Sequence, residues 1–155
     1  MLLLQVAGSA CISTTKITDV RRDGIVCHDA EWLKVDDTDI FGRRAEDLVT
    51  CGIKVTGSLA DCAARPNHHI QHTTVAKCAT GMACEGSSAR AVKLTVQECI
   101  VGVRVAAAAC HLFQADIRDC ICKGVHVCFF LLVPLMYLTF NMAMHSLLAV
   151  HDVID

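Results

Sequence analysis

The chain has 155 residues, of which 54% are hydrophobic and only 5% aromatic, and its formal net charge is −2. This length predicts a single domain, residues 1–155, whose core is filled mainly by aliphatic and cysteine side chains. The near-neutral charge, without a basic stripe, argues against nucleic acid as the default partner.

The N-terminal stretch MLLLQVAGSAC has a short apolar run but no leading Lys or Arg, so it is a weak match to a secretory signal. The sequence contains 11 cysteines. A disulfide framework is one interpretation of so many cysteines. The odd count and the large apolar fraction favour reduced, buried thiols instead, and therefore an intracellular location.

Residues 35–42 (VDDTDIFG) resemble part of a calcium-binding loop. The first, third and sixth loop positions would be Asp37, Asp39 and Gly42. However, Phe41 and Leu48 occupy the fifth and twelfth positions, where carboxylates are needed. The pattern therefore excludes an EF-hand and predicts a solvated loop.

Residues 67–72 (NHHIQH) are the most suggestive group of metal ligands in the sequence. On a helix, His68 and His72 would share a face and His69 could join them, and imidazole suits Zn, Cu or Ni. The group follows Pro66 in a long interval between repeats, so we expect a solvated loop rather than a metal site.

A 21-residue repeat runs through the second half of the chain. Its first column contains aliphatic residues: Val75, Val96, Ile117 and Leu138. A second column, three residues later, contains Cys78, Cys99, Cys120 and Asn141. The residue before each cysteine is charged: Lys77, Glu98 and Asp119. We expect the cysteine column to be small apolar filler and not a set of disulfides, because in-register stacking keeps the Cβ atoms too far apart.

Glycine marks a further column, with phrases that begin at five positions: Gly24 (GIVC), Gly52 (GIKV), Gly81 (GMAC), Gly102 (GVRV) and Gly124 (GVHV). The first phrase belongs to a longer match between residues 17–27 and 117–127. These glycines predict either corners with positive φ or positions of close backbone approach. The repeats number five, with a sixth at the C-terminus, and the first two intervals carry insertions.

Short alternating runs such as 53–55, 103–105 and 125–127 predict two or three strands in each repeat. Heptad-like helices are the alternative, and residues 105–112 (VAAAACHL) have helical propensity. Glycine within the repeat and abundant Val, Ile and Thr argue against them. The fold prediction is all-β, with parallel strands that stack equivalent residues into columns.

The phrases IRDCICKGVHV, VQECIVGVRV and VAKCATGMAC resemble repeats of the right-handed parallel β-helix, or pectin-lyase-like, superfamily. The resemblance covers residues 75–127 well and 17–55 loosely. It implies a short solenoid of about five to six rungs, or a fragment of a longer one. Its cysteine-rich style is similar to non-enzymatic recognition β-helices, which implies a module that binds protein or glycan through an outer face and the intervals 28–50 and 56–74.

Because this superfamily also contains enzymes, the resemblance implies one main alternative function, a carbohydrate-active lyase or hydrolase. Such chemistry needs a carboxylate pair, and Glu98 and Asp119 would stack one rung apart. A solvated edge is the simpler interpretation of this pair. The spacing of Cys120, Cys122 and Cys128 lacks a redox or zinc motif. We therefore assign no catalytic, cofactor-binding or metal residue.

Residues 125–150 contain no Asp, Glu, Lys or Arg and are apolar enough to be a membrane segment. Their start continues the repeat, which favours a last rung or a cap. A small membrane protein anchored there, and a chain without selected function, remain alternatives. Neither terminus resembles a polar cap, so end-to-end self-association is a further expectation.

Overall fold

The computed structural model describes residues 4–6, 8–43, 50–57, 67–128 and 140–141. These residues form strands, bends and irregular connections, and no helix occurs among them. The strands are β1 (Leu4–Val6), β2 (Ser9–Val20), β3 (Asp23–His28), β4 (Trp32–Gly42), β5 (Cys51–Thr56), β6 (His68–Ala76), β7 (Thr80–Glu85), β8 (Ser88–Gln97), β9 (Val101–Ala106), β10 (Ala109–Phe113), β11 (Asp116–Arg118), β12 (Lys123–Cys128) and β13 (Phe140–Asn141).

The strands form two sheets in which the pairings are parallel. Sheet A has the order β1-β3-β5-β7-β9-β12, and sheet B has the order β13-β10-β8-β6-β4-β2, with β11 also beside β8. From β1 to β10 the chain changes sheet after every strand. The predicted all-β fold with parallel strands is confirmed. The helical alternative is wrong, because residues 105–112 contain the end of β9 and most of β10.

Five glycines form one column across sheet A, because the residues on either side of them pair in register. They are Gly24, Gly52, Gly81, Gly102 and Gly124. Each is the second residue of its strand. The Gly-led phrases are therefore copies of one structural unit, as the sequence predicted.

The glycines are not corners, because none of the five has a positive φ. They are positions of close approach. A Cβ atom at Gly52 would lie 2.2 Å from Cγ1 of Val75, and one at Gly102 would lie 2.5 Å from Cγ2 of Ile117. Gly24, Gly52, Gly81 and Gly102 thus leave room for a β-branched side chain of sheet B, whereas a Cβ atom at Gly124 would lie 3.8 Å from Ile117, an ordinary contact distance.

The aliphatic column of sheet B is in register across five strands. It contains Ile17, Ile40, Val75, Val96 and Ile117, and all but the last are buried. The predicted fourth member, Leu138, lies outside the described residues. Asn141 pairs with Phe113, so its predicted place next to Cys120 is wrong.

Among the described residues, corners are formed mainly by non-glycine residues with positive φ, together with Gly8 and Gly86. One column of non-glycine corners lies at the ends of the sheet-B strands: Asp19, Lys77, Glu98 and Asp119. A second column lies midway along sheet B: Thr14, Asp37, His72, Lys93 and Gln114. At this second column the strands bend and the alternation of inward and outward side chains is interrupted, so that two outward residues follow each other, as at Asp36–Asp37 within β4. The bend divides the outer surface of sheet B into a first half, before the bend, and a second half after it.

The cysteine column lies directly after the corners. Cys78 and Cys99 are buried and Cys120 is half-buried, and the backbone N–H groups of Ile100 and Ile121 donate to the carbonyls of Cys78 and Cys99. Burial raises the pKa of Cys78 to about 12 and that of Cys99 to about 11. The nine cysteines with described side chains are all free thiols.

Two segments predicted as solvated loops are strands instead. Residues 35–42 belong to β4, and residues 68–72 begin β6. In both, the bend places two outward residues in succession and thereby hides the period-2 pattern of a strand. Much of the intervals 28–50 and 56–74 is therefore sheet, while residues 44–49 and 58–66 lie outside the described part.

Strands β1 and β12 lie near the two ends of the chain. Residues 4–6 of the apolar N-terminal run form β1, which pairs with β3. Strand β12 continues sheet A into the segment 125–150, in register with β9. Residues 129–139 and 142–155, with the membrane prediction that falls on them, lie outside the described residues. Within the described ranges, no helix is long and apolar enough to cross a membrane.

Candidate functional site

A polar cleft of about 450 Å³ opens at the corner where sheet-A strands end and sheet-B strands begin. Its lining residues are Asp29, Ala30, Glu31, Thr56, Gly57, Asn67, His68, Ser87 and Ser88. Seven of these nine carry side chains that can form hydrogen bonds. Gly57 and Asn67 stand at the two ends of residues 58–66, which the structure does not describe. The composition of the lining suits a polar ligand.

His68 is the buried histidine of the cleft. The alternation of β6 turns it inward, into the column that holds Leu33 and Ala89 in the neighbouring strands. It is only 4% exposed, and its Nδ1 lies 3.8 Å from Sγ of Cys27. A polar side chain at a core position of this kind needs a partner, and the Cys27 thiol supplies a weak one.

The Cys27–His68 pair is electrically neutral at pH 7. Burial lowers the pKa of His68, and the nearby His69 lowers it further. Burial raises the pKa of Cys27, and the charge of Asp29 acts in the same direction. Nucleophilic cysteine chemistry requires a thiolate. His68 forms part of the cleft wall, and the pair supplies no nucleophile at neutral pH.

Two carboxylates and two serines complete the polar wall. The carboxylate of Asp29 lies 3.2 Å from Nε2 of His28, and Glu31 accepts a hydrogen bond of 3.3 Å from the hydroxyl of Ser9. Ser87 and Ser88 are each 3% exposed. Both serines border the cleft. The Ser88 hydroxyl can hydrogen-bond to a polar ligand there.

Trp32 lies beside the cleft on the outer surface of sheet B. It is the only tryptophan in the sequence, and it is 44% exposed. It follows Glu31 in the chain and pairs in register with Ser9. An exposed indole next to polar side chains offers a flat apolar surface and a hydrogen-bonding one together, as ligand-binding surfaces often do.

A column with several basic side chains crosses the first half of sheet B. Its members, in register from strand to strand, are Cys11, Lys34, His69, Arg90 and His111. Neighbouring members are separated by the strand spacing, about 4.8 Å. Because Trp32 and Lys34 are two residues apart on β4, they face the same side of the sheet.

The charged groups of Arg90 and Lys34 in this column interact with neighbouring side chains. The guanidinium of Arg90 lies over the ring of Phe113, 4.8 Å from its centroid, and Nζ of Lys34 lies 3.6 Å from the Asp36 carboxylate. Asp36 also accepts hydrogen bonds from Gln71 and His72, which lower its pKa. Arg90 is thus oriented by an aromatic ring, and its in-plane N–H groups can bind a ligand.

Glu98 and Asp119, the sequence-predicted carboxylate pair, lie on the exposed corner column. The Glu98 carboxylate is 3.8 Å from Nζ of Lys77, the corner residue of the preceding repeat. Both positions are solvent-exposed, and neither residue lines the cleft described above. This placement agrees with the solvated edge that was the simpler interpretation of the pair.

The other sequence-predicted ligands do not converge. His68 points inward, His69 points outward and His72 occupies the bend, so the three histidines diverge. In the described part of the chain, no group of three or more His, Cys, Asp or Glu side chains is arranged to hold a metal ion. Cys122 is exposed, Cys120 is half-buried, and the side chain of Cys128 is outside the description.

Sequence reasoning missed the cleft and the basic column. Both depend on register: His69 and Arg90 become neighbours only when 68–72 is placed in a strand. The available signal was the aliphatic column, which could have been followed back from Val75 through Thr73 and Ile70 once a one-residue slip at His72 was allowed.

Comparisons with protein-family models, with curated proteins and with solved structures found no match to this chain.

Proposed function

We propose that the chain is a short right-handed parallel β-helix of about five to six rungs that acts as a non-catalytic recognition module for a glycan. The in-register columns and the alternation between two parallel sheets support this architecture. Right-handedness is proposed because parallel connections take that hand in almost all proteins. The pectin-lyase-like resemblance remains part of the proposal.

The observation that carries the function is the outer surface of the first half of sheet B. Here Trp32 offers an apolar ring face, and Lys34, His69 and Arg90 stand in one line across the strands. An extended acidic glycan lying along this line would meet one basic side chain at each strand. Arginine suits carboxylate because its fork of N–H donors binds both oxygens.

Binding to polygalacturonate tests the proposal, with a neutral glucan of similar length as the reference. Isothermal titration calorimetry should detect binding of polygalacturonate and no binding of the neutral glucan. The variant Arg90→Glu should weaken binding about tenfold or more, since it places a like charge against the ligand. Arg118→Glu is the matched control, because this exposed arginine lies on the second half of sheet B; it should change affinity less than about twofold.

If neither polysaccharide binds, or if both arginine variants weaken binding equally, the proposed surface is wrong. An excess of single-stranded nucleic acid as competitor checks the choice of ligand. Full displacement at equal charge concentration would indicate a general polyanion surface instead of a glycan surface.

A carbohydrate-active enzyme is the second candidate, because two carboxylates, Asp29 and Glu31, line the same cleft. The assay is release of reducing ends or of unsaturated products from polygalacturonate. Turnover that is lost in Asp29→Asn but retained in Glu98→Gln would favour an enzyme centred on the cleft. Without turnover in the wild type, the binding module stays ahead.

A further inference from the structure

We propose that the polar cleft is a second binding site, for a sugar residue that carries a free amino group. The inference rests on the proposed glycan recognition. It assigns the cleft a positively charged ligand, whereas the ligand proposed for the basic column is negatively charged. The lining of the cleft and the indole beside it support this inference.

The volume and the lining of the cleft suit one sugar ring. About 450 Å³ is within the usual range of small-molecule sites. Ser88 is 3% exposed and borders the cleft. Its hydroxyl can hydrogen-bond to a polar ligand in the cleft. The Asn67 amide adds donor and acceptor groups for sugar hydroxyls.

The charge of the cleft selects for an amine. Among the residues that the structure describes, its lining includes two carboxylates, from Asp29 and Glu31, and no lysine or arginine. His68, the one basic residue among the described residues of the lining, is neutral at pH 7 because burial lowers its pKa. His28 lies 3.2 Å from Asp29 but is not part of the lining. A cationic group is therefore favoured in the cleft, and a uronate carboxylate is repelled.

Trp32 supplies the apolar surface that a sugar ring requires. It follows Glu31 directly, and it stands opposite Asn67 because the next residues, Leu33 and His68, pair in register. Two residues of the cleft wall thus flank the indole. The C–H face of a pyranose bound between Glu31 and Asn67 can pack against it.

Tryptophan fluorescence tests the site directly, because Trp32 is the only tryptophan in the chain. The full-length protein is titrated with D-glucosamine, D-glucose and D-galacturonate at equal ionic strength, at a pH where the amine is protonated. We expect glucosamine to bind most tightly, glucose more weakly and galacturonate least. The variant Glu31→Gln should weaken glucosamine about tenfold and leave glucose within about twofold.

Two further variants separate a site from a general effect. Ser88→Ala should weaken glucosamine and glucose alike, because it removes a shared hydroxyl contact. Glu98→Gln removes an exposed carboxylate outside the cleft and should leave all affinities unchanged. Circular dichroism of each variant confirms that the fold is retained.

Equal or tighter binding of galacturonate would overturn the proposal, as would an unchanged glucosamine affinity in Glu31→Gln. If no monosaccharide alters fluorescence or releases heat, the cleft site is wrong. Arg90-dependent binding of polygalacturonate would in that case still support the glycan surface of sheet B, so the two proposals can fail separately.

Discussion

Gly81 lies directly against the side chain of Val96. A Cβ atom at Gly81 would be 2.3 Å from Cγ1 of Val96 and 2.6 Å from the carbonyl oxygen of Gly102. The first contact is with a stiff β-branched side chain and the second with the backbone of the next strand. The column of glycines therefore sets how closely sheet A can approach the aliphatic column of sheet B.

Replacement of Gly81 by alanine should be strongly destabilising. Neither contact can relax cheaply, so we expect the free energy of unfolding to fall by about 3 kcal/mol. Urea denaturation measures the change. Gly57→Ala is the control, because its added Cβ would approach Ser87 and Gly86 no closer than 3.1 Å; it should cost less than about 1 kcal/mol. Equal losses in the two variants would contradict the close-approach role of Gly81.

The left-handed corner at Glu98 predicts an unusual order of substitutions. Its φ is 53°, which costs an ordinary L-residue about 1 kcal/mol or more. Glu98→Asn should therefore raise stability by up to about 1 kcal/mol, and Glu98→Val should lower it by about 1–2 kcal/mol. Glu98→Gln isolates the ion pair with Lys77, which is exposed and should contribute less than about 0.5 kcal/mol. If Val were tolerated as well as Asn, the corner conformation would be wrong.

Burial of His68 predicts an acid-sensitive component of stability. Because its folded pKa is lowered from 6.5, the unfolded chain binds a proton at this residue more readily than the folded chain does. Stability should therefore fall as pH decreases below about 6.5. In His68→Leu, which matches Leu33 of the same column, this component should disappear. Urea titrations at pH 7 and pH 5 measure the change in the free energy of unfolding with pH for the wild type and for the variant. An identical change in the two proteins would contradict a buried neutral imidazole.

The thiols should divide sharply by reactivity. Cys11 and Cys122 are exposed, whereas Cys78, Cys99 and Cys110 are fully buried. Burial also raises the pKa of Cys110 to about 12. Iodoacetamide at pH 8 should label the two exposed cysteines within minutes and the three buried ones only in urea. Peptide mapping by mass spectrometry reads out each site. Rapid native labelling of Cys99 would show that the column is open to solvent.

Much of the fold was readable from the residues between 75 and 127. Here the insertions are short, so Val75, Val96 and Ile117 recur at equal spacing and their register in the sheet follows directly. The assignment of the glycines to a single column was correct for the same reason. Their role was mistaken in part, because a glycine needed for close approach and one needed for positive φ look identical in sequence.

The candidate site was much less predictable. His68 and His69 were assigned to a loop, because the bend at His72 interrupts the alternation that would have marked them as a strand. The same slip hid β4 and with it the outward position of Trp32. The carboxylates of the cleft, Asp29 and Glu31, gave no signal at all, since they sit in a short connection without a motif.

Local pattern was sufficient for the strand class, the parallel columns and the interior place of the cysteines, because each depends on spacing along the chain. The neighbours of each outward side chain depend on something else. Residues such as Lys34, His69 and Arg90 are far apart in sequence, and their placement on neighbouring strands follows from inter-strand register. A single left-handed residue changes which side chains face outward, and its conformation is stabilised by the packing of the strands on either side. The surface chemistry of this protein therefore depends on its three-dimensional packing, whereas the residues of its core can be predicted from the sequence repeat.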